Sequence, residues 1–163
     1  MDKKYTISIL IVSLIILHSE QKSELKKPDY ELLINEYLRR ETQGEFLQQS
    51  DWLKENMINP RAGFDAVILV KNYHYNIEYN KKDSVIIRVV YNKIADVLQS
   101  SEGAYVKFDT SEIEVDYELI KTQSKWKINH PGTNPHVSLD FMKHYLPEKE
   151  VDKLNKMGLL NSP

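Results

Sequence analysis

General acid–base chemistry has one candidate base in this chain, Asp65, which directly precedes a predicted strand. Tyr91 and Tyr117 lie on later predicted strands, and their hydroxyls are the candidate donors. A carboxylate base opposite hydroxyl donors is the set of groups by which an isomerase or lyase stabilises an enolate. Asp65 also occupies a position where helix and strand caps are common, and the pattern predicts no second buried acid. The prediction is therefore a protein that is not an enzyme, with a small-molecule isomerase or lyase as the alternative.

Metal and cofactor chemistry has little support in the sequence. His130, His136 and His144 crowd the C-terminal part, but their spacings of six and eight residues do not match the i, i+4 pair of a helical zinc site. His74 falls on the polar side of a strand and is predicted to face solvent. The absence of cysteine excludes thiolate ligands, disulfides and lipid attachment, and the five scattered glycines form no phosphate-binding loop. We therefore predict no metal and no cofactor.

Aromatic side chains are the best candidates for binding a ligand. The predicted pocket wall consists of Trp52, Tyr75, Tyr91, Tyr117 and Trp126. The alternation of the strands puts one group of aromatic residues on a common sheet face: Tyr73, Tyr75, Tyr79, Tyr91, Tyr117 and Trp126. These rings either line a cavity or form the core, with their hydroxyls reaching water or backbone partners. The core is the favoured interpretation.

Two helical segments precede the strands. Apolar residues recur at spacings of three and four from Tyr30 to Leu38, and Asp29 is the predicted N-cap. Gly44 is predicted to end this helix, and a second helical stretch runs over 46–57. Two more short helices are predicted after the strands. The first has Ser138 as its N-cap, and the second starts after Pro147 and stops at Gly158.

The strands are predicted from alternation of period two. Segments 73–79 and 85–91 form one hairpin, and segments 112–119 and 126–128 form another. In the third segment every even position is acidic: Glu112, Glu114, Asp116 and Glu118. We predict that this acidic ladder faces solvent and is balanced by Lys125 and Lys127, with a docking patch for a basic partner or cation as the alternative. The order of elements predicts an α+β domain with helices on one face of an antiparallel sheet.

The last hairpin resembles a known family. Val115-Asp-Tyr-Glu-Leu-Ile-Lys121, a polar turn, and then Lys125-Trp-Lys-Ile128 is similar to the end of the nuclear-transport-factor-2-like (NTF2-like) cone fold, with Ser124 where that family usually has glycine. The resemblance implies N-terminal helices packed on a curved sheet, enclosing a pocket that is catalytic in some members and only binds in many. It covers residues 29–146, leaving 147–163 as a C-terminal helical tail. A cystatin-like roll is the alternative fold.

The first nineteen residues predict export. A charged start precedes an apolar run over residues 5–17, which as a helix spans roughly 20 Å, short of a hydrocarbon core of about 30 Å. We predict a signal peptide cut after Ser19, with an uncleaved membrane anchor as the alternative, and residues 20–28 as a tether. The protein is accordingly predicted to be extracytoplasmic, in the periplasm or cell envelope. Membrane contact would be made through residues 5–17 if the leader is not cut.

Charge and composition limit the classes of partner that the sequence predicts. The 22 basic and 24 acidic residues give a net charge of −2, without the basic excess that is typical of nucleic-acid binders. We predict a non-catalytic binding or interaction module for an unknown protein or a small apolar ligand, with a homodimer possible. Some small exported members of the family that the chain resembles neutralise toxins, so an immunity-type protein is a second alternative.

Overall fold

The computed structural model describes residues 27–48, 50–60, 63–129 and 132–160. The predicted leader at 1–19 and the predicted tether up to residue 26 lie outside these ranges, as does His130. Within them, no helix is both long enough and apolar enough to cross a bilayer.

Two helices open the described chain. Helix α1 runs over Asp29–Thr42 and helix α2 over Asp51–Asn56, with a 3-10 turn at Glu45–Leu47 between them. The predicted N-cap is off by one residue: Pro28 occupies that position without a side-chain cap, because Asp29 is already helical. Gly44 lies just beyond α1 with a φ of 71°, the left-handed conformation that terminates many helices.

A five-stranded curved sheet follows. Its strands are β1 at Ala66–Lys81, β2 at Ser84–Ser100, β3 at Gly103–Thr122, β4 at Lys125–Asn129 and β5 at His136–Ser138. They lie in the order β4-β3-β2-β1-β5, antiparallel except for β5, which is parallel to β1. Helices α3 at Leu139–Met142 and α4 at Glu148–Lys156 close the chain. The α+β class is therefore confirmed. The sheet is mixed, because the short strand β5 is parallel to β1.

Both predicted hairpins are present, but Tyr79 lies on the face of the sheet opposite to the predicted one. Ile77 pairs with Ile87 whereas Tyr79 pairs with Ile86, because an irregularity in β1 shifts the register between them. Cross-strand partners share a face, so Tyr79 moves to the opposite face from Tyr91 and is exposed. The sequence patterns also left out the third hairpin, in which the ends of β2 and β3 join at Ser101 and Glu102.

Two hydrophobic cores lie on opposite faces of the sheet, so helices cover both faces, whereas the order of elements predicted helices on one face only. Neighbouring residues on β1 divide between them, with Val70 in the first and Leu69 in the second. Helices α1 and α2 cover the first core: Ile34, Tyr37, Leu38, Met57, Val70, Val85, Ile87, Val89, Tyr91, Val115, Tyr117, Leu119 and Ile128. Helices α3 and α4 cover the second: Val67, Leu69, Ile94, Ala95, Val97, Val106, Val137, Leu139, Met142, Leu146 and Leu154.

The acidic ladder faces away from the first core, as predicted, but its countercharge comes from another strand. Arg88 of β2 donates two hydrogen bonds to Asp116, at 2.8 and 3.0 Å, and its Nε lies 3.6 Å from a Glu114 oxygen. The hydrogen bond from Arg88 lowers the pKa of Asp116. Lys125 and Lys127 form no ion pair with the ladder in the described part of the chain, because they lie opposite Thr122 and Ile120.

The C-terminal helices begin and end as local sequence predicts. The hydroxyl of Ser138 accepts a hydrogen bond from the backbone N–H of Phe141, which makes Ser138 the N-cap of α3. Gly158 follows α4 with a φ of 70°. Leu154 is fully buried in the second core, so α4 is anchored on the sheet by its apolar face.

Candidate functional site

A buried glutamate occupies the centre of the first core. Glu41 lies in the last turn of α1, only 1% exposed, and its carboxylate accepts hydrogen bonds from three separate parts of the chain. On Oε2 the donors are the hydroxyls of Tyr91, at 2.8 Å, and Tyr117, at 3.4 Å. On Oε1 the backbone N–H of His136 donates at 3.3 Å, and its Nδ1 lies at 3.2 Å. A buried carboxylate is tolerated only with such a set of partners.

The tyrosines and the histidine also contact one another. The hydroxyl oxygens of Tyr91 and Tyr117 are 2.9 Å apart, so the single hydroxyl proton of Tyr117 lies within reach of two acceptors, Tyr91 and, at the longer 3.4 Å, Glu41. The Tyr91 ring stacks on the His136 imidazole with centroids 3.8 Å apart and planes 6° apart. Tyr37 adds a weaker bond from its hydroxyl to Glu41, at 3.5 Å. We call these five residues the Glu41 cluster.

The cluster has the group types of an acid–base site but is closed to solvent. Each of its members is no more than 1% exposed. Nε2 of His136 is buried without a hydrogen-bond partner in the described residues, and so is the hydroxyl of Thr133. Thr133 and Tyr37 line a cavity of about 40 Å³, enough for a water molecule and far below the 300–1,000 Å³ of ligand pockets. The hydrogen bonds therefore fix the hydroxyls and the imidazole relative to Glu41, and the described residues leave no space beside them for an organic substrate.

The predicted catalytic base is not part of this cluster. Asp65 is exposed and lines an open surface groove with Phe64 and Tyr145. Its position just before β1 keeps it at the edge of the domain, so the arrangement of Asp65 facing Tyr91 and Tyr117 was wrong. His74 is exposed, as predicted.

Glu41 itself was overlooked, although a signal for it exists. It lies four residues after Tyr37 and seven after Ile34, on the same apolar stripe of α1. An acid on such a stripe must find partners inside the protein. No sequence pattern shows that those partners come from β2, β3 and β5.

The five predicted pocket residues fall into two groups. Tyr91 and Tyr117 belong to the Glu41 cluster, whereas Tyr75 is half-buried, packs against the first core and donates from its hydroxyl to Asn35 at 3.2 Å. Trp52 and Trp126 instead line an open surface groove of about 340 Å³ between α1, α2 and β4. We call this the tryptophan groove. Its walls are Asp29, Leu32, Leu33, Glu36, Trp52, Asn56, Ser124, Lys125 and Trp126.

Several contacts fix the tryptophans in the groove. The Trp52 ring stacks on Phe46 with centroids 5.9 Å apart, and the guanidinium of Arg40 lies 5.2 Å from its centre. The Trp126 ring meets Tyr30 edge to face at 5.5 Å. Leu32 is 49% exposed at the rim. The groove thus offers preformed aromatic surface beside a half-exposed leucine.

Metal binding finds no support among the residues that the structure describes, where no group of three or more potential ligands occurs. His136 is held by Glu41 inside the core, and His144 is exposed on the surface.

Comparison with known proteins found no matching family model, no similar curated protein and no similar solved structure.

Alkaline titration tests whether the cluster is sealed. Burial, and then the charge of Glu41, raises the pKa of Tyr37, Tyr91 and Tyr117 well above the usual value of 10.0. Between pH 10 and the raised values the folded state holds protons that the unfolded state loses, so stability falls as pH rises above about 10. We expect these three of the ten tyrosines to ionise only when the protein unfolds, measured by ultraviolet absorbance and circular dichroism together. Reversible ionisation of all ten in the folded state would contradict the closed site and favour the isomerase or lyase.

Proposed function

We propose that this protein is a non-catalytic interaction module that recognises a partner protein on its surface. The observation that carries the proposal is the closely packed first core, where the Glu41 cluster is buried and the pocket at its margin holds only about 40 Å³. A small apolar ligand has no room there. Three other pockets, which lie at the surface, are larger, at about 270–400 Å³.

The tryptophan groove is the best-supported recognition surface. Tryptophan is among the residue types that dominate binding energy at protein interfaces, especially where the ring is already held in place. Trp52 and Trp126 meet that description through their ring contacts. Asp29 and Glu36 add two negative charges and Lys125 adds one positive charge to the walls, which favours a partner segment with an apolar centre and charged flanks.

Tryptophan fluorescence tests this proposal directly, because the chain contains only these two tryptophans. We expect a protein partner from the same cell envelope to shift the emission to shorter wavelength, whereas small apolar molecules such as indole analogues leave it unchanged. Leu32→Asp should weaken partner binding at least tenfold by placing a charge at the apolar rim. The matched control is Leu160→Asp in the groove between β1, α3 and the C-terminal end, on the other side of the sheet.

Two results would contradict recognition of a partner protein in the tryptophan groove. Saturable binding of a small apolar ligand with a shift in emission would replace the protein partner by a ligand. Equal loss of binding in Leu32→Asp and Leu160→Asp would mean that the variants act through stability and not through the groove.

We also propose a family and a cellular location for this protein. The helices α1 and α2 on one face of a curled sheet, and the β3–β4 hairpin with Trp126 on β4, support a cone fold of the nuclear-transport-factor-2-like kind. An experimental structure superposed on that fold tests the proposed family.

The charged start and apolar run at 5–17 support an extracytoplasmic protein, as a free domain or on an anchor. Intact mass after cell fractionation separates a species cut near Glu20 from the full chain in membranes, and full-length protein in the cytosol would overturn the location.

A further inference from the structure

Strand β3 extends far beyond its outer neighbour. Of its 20 residues, 103–108 and 111–120 pair with β2, but the 5-residue β4 pairs only with Glu118–Thr122. Near the other end of β3, the backbone N–H of Val106 donates to Glu150 of α4 at 3.3 Å, so that helix covers the strand there. In the described chain, residues 109–117 therefore have no strand on the side away from β2, and 109 and 110 lie in an irregularity of the β2 pairing. We call this segment the open edge.

The two faces of the open edge differ in character. Glu112, Glu114 and Asp116 are exposed on the outer face, and the neighbouring Asp109 is exposed as well. On the inner face Val115 is buried, whereas Ile113 is only half-buried and lies at the margin of the first core. A strand added beside the open edge would meet carboxylates on one face and apolar surface on the other.

The negative charge of the open edge is only partly neutralised. Arg88 pairs with Asp116, and Lys93 pairs with Asp109 at 2.8 Å. Glu112 forms no ion pair with any described residue, and the nearest cation to Glu114 is Arg88 at 3.6 Å. The segment itself contains no lysine or arginine. The open edge therefore attracts cations and repels a strand of its own composition.

A second copy of this chain is a poor occupant for that reason. Pairing two open edges would set one row of carboxylates beside the other, and like charges on neighbouring strands are destabilising. Charged edges are a common means of preventing such self-association. A strand with lysine or arginine at alternate positions has the opposite effect, because its cations would face Glu112 and Glu114 while its apolar residues extend the inner face beside Ile113.

We propose that the open edge is a strand-addition site for an extended basic segment of a partner protein, in which lysine or arginine alternates with apolar residues. Backbone hydrogen bonds supply the affinity in this mode of recognition, and the alternate side chains supply the specificity. The site lies apart from the tryptophan groove, since neither Trp52 nor Trp126 lies on β3. It therefore adds a second contact to the surface recognition proposed above.

The test uses the full chain labelled with 15N and a short peptide in which lysine and valine alternate. We expect the amide signals of residues 109–117 to shift on titration and the binding to weaken as salt is raised to about 1 M, where screening is nearly complete. Glu112→Lys should weaken binding about tenfold without disturbing the pairs of Arg88. The control Glu102→Lys makes the same charge change in the turn before β3, and we expect it to bind like the wild type.

Two further measurements separate strand addition from simple charge attraction and from dimerisation. A peptide with the same side chains on a fully N-methylated backbone should not bind, because it cannot form the ladder. Shifts spread over all acidic surfaces, equal binding of the N-methylated peptide, or absence of binding would each overturn the proposal. So would self-association of the chain through residues 109–117, detected by light scattering and lost in Glu112→Lys.

Discussion

Replacing Glu41 by alanine is expected to lower the free energy of unfolding by about 3–5 kcal/mol. The substitution removes the common acceptor of Tyr91, Tyr117 and the His136 backbone, and leaves buried donors without a partner. An unsatisfied buried polar group alone costs about 1–3 kcal/mol, and the lost side chain adds a cavity. Urea unfolding followed by tryptophan fluorescence measures the difference, with an expected fall of about 10 °C or more in melting temperature.

The surface glutamate one turn earlier on α1 supplies the control. Glu36 binds Arg39 and Arg40 on the exposed side, and the hydrogen bond from Arg39 lowers its pKa to about 2. Because these pairs are exposed, Glu36→Ala should change stability by no more than about 1 kcal/mol. Glu41→Gln should fall between the two alanine variants, since its amide oxygen still accepts from the tyrosines. A Glu41→Ala protein as stable as Glu36→Ala would show that the cluster contributes little to the fold.

Alanine at position 44 is the second substitution with a large expected effect. Gly44 has a φ of 71°, and a Cβ added there would lie 2.6 Å from Cζ of Phe141 and closer still to Cε1. Left-handed backbone costs a non-glycine residue about 1–2 kcal/mol, and overpacking typically costs about 1–3 kcal/mol more. We expect Gly44→Ala to destabilise the protein by about 2–4 kcal/mol in chemical unfolding.

Gly158 separates the two contributions at position 44. It has nearly the same φ, 70°, but a Cβ added there would meet nothing within 4 Å. Gly158→Ala should therefore show only the cost of the left-handed backbone, about 1–2 kcal/mol. Adding Phe141→Ala to Gly44→Ala should recover the steric part, which appears as a favourable coupling in a double-mutant cycle. Equal effects at positions 44 and 158 would mean that the Phe141 ring moves aside freely.

The sequence predicted well the features that depend on neighbours along the chain. The hydrogen bond of Ser138 spans three residues, and the alternation of Val115 and Tyr117 with acids determines which face is buried. The α+β class followed from such local patterns. Tyr79 was misassigned because one irregularity in a strand reverses every later side chain, and no composition rule marks its position.

The candidate site was predicted only in part, because it depends on distant contacts. Tyr91 and Tyr117 were chosen correctly as neighbours on one face. Glu41 meets them from 50 and 76 residues away, and it meets His136 from 95 residues away. Asp65 was preferred because it precedes a strand, whereas burial on the stripe of α1 was the stronger physical clue. Spacing along a chain does not report which helix turn faces which strand.

The same separations bear on the order in which a growing chain can mature. Of the described helices and strands, α1 leaves the ribosome first, but the carboxylate at its end lacks its tyrosine donors on β2 and β3 until those strands have followed. Its last donors, on His136, arrive only after β4 has been made. Until then a charged group that must finally be enclosed stays hydrated, which opposes early collapse around the first helix. The first core can thus close completely only when nearly all of the domain has been synthesised.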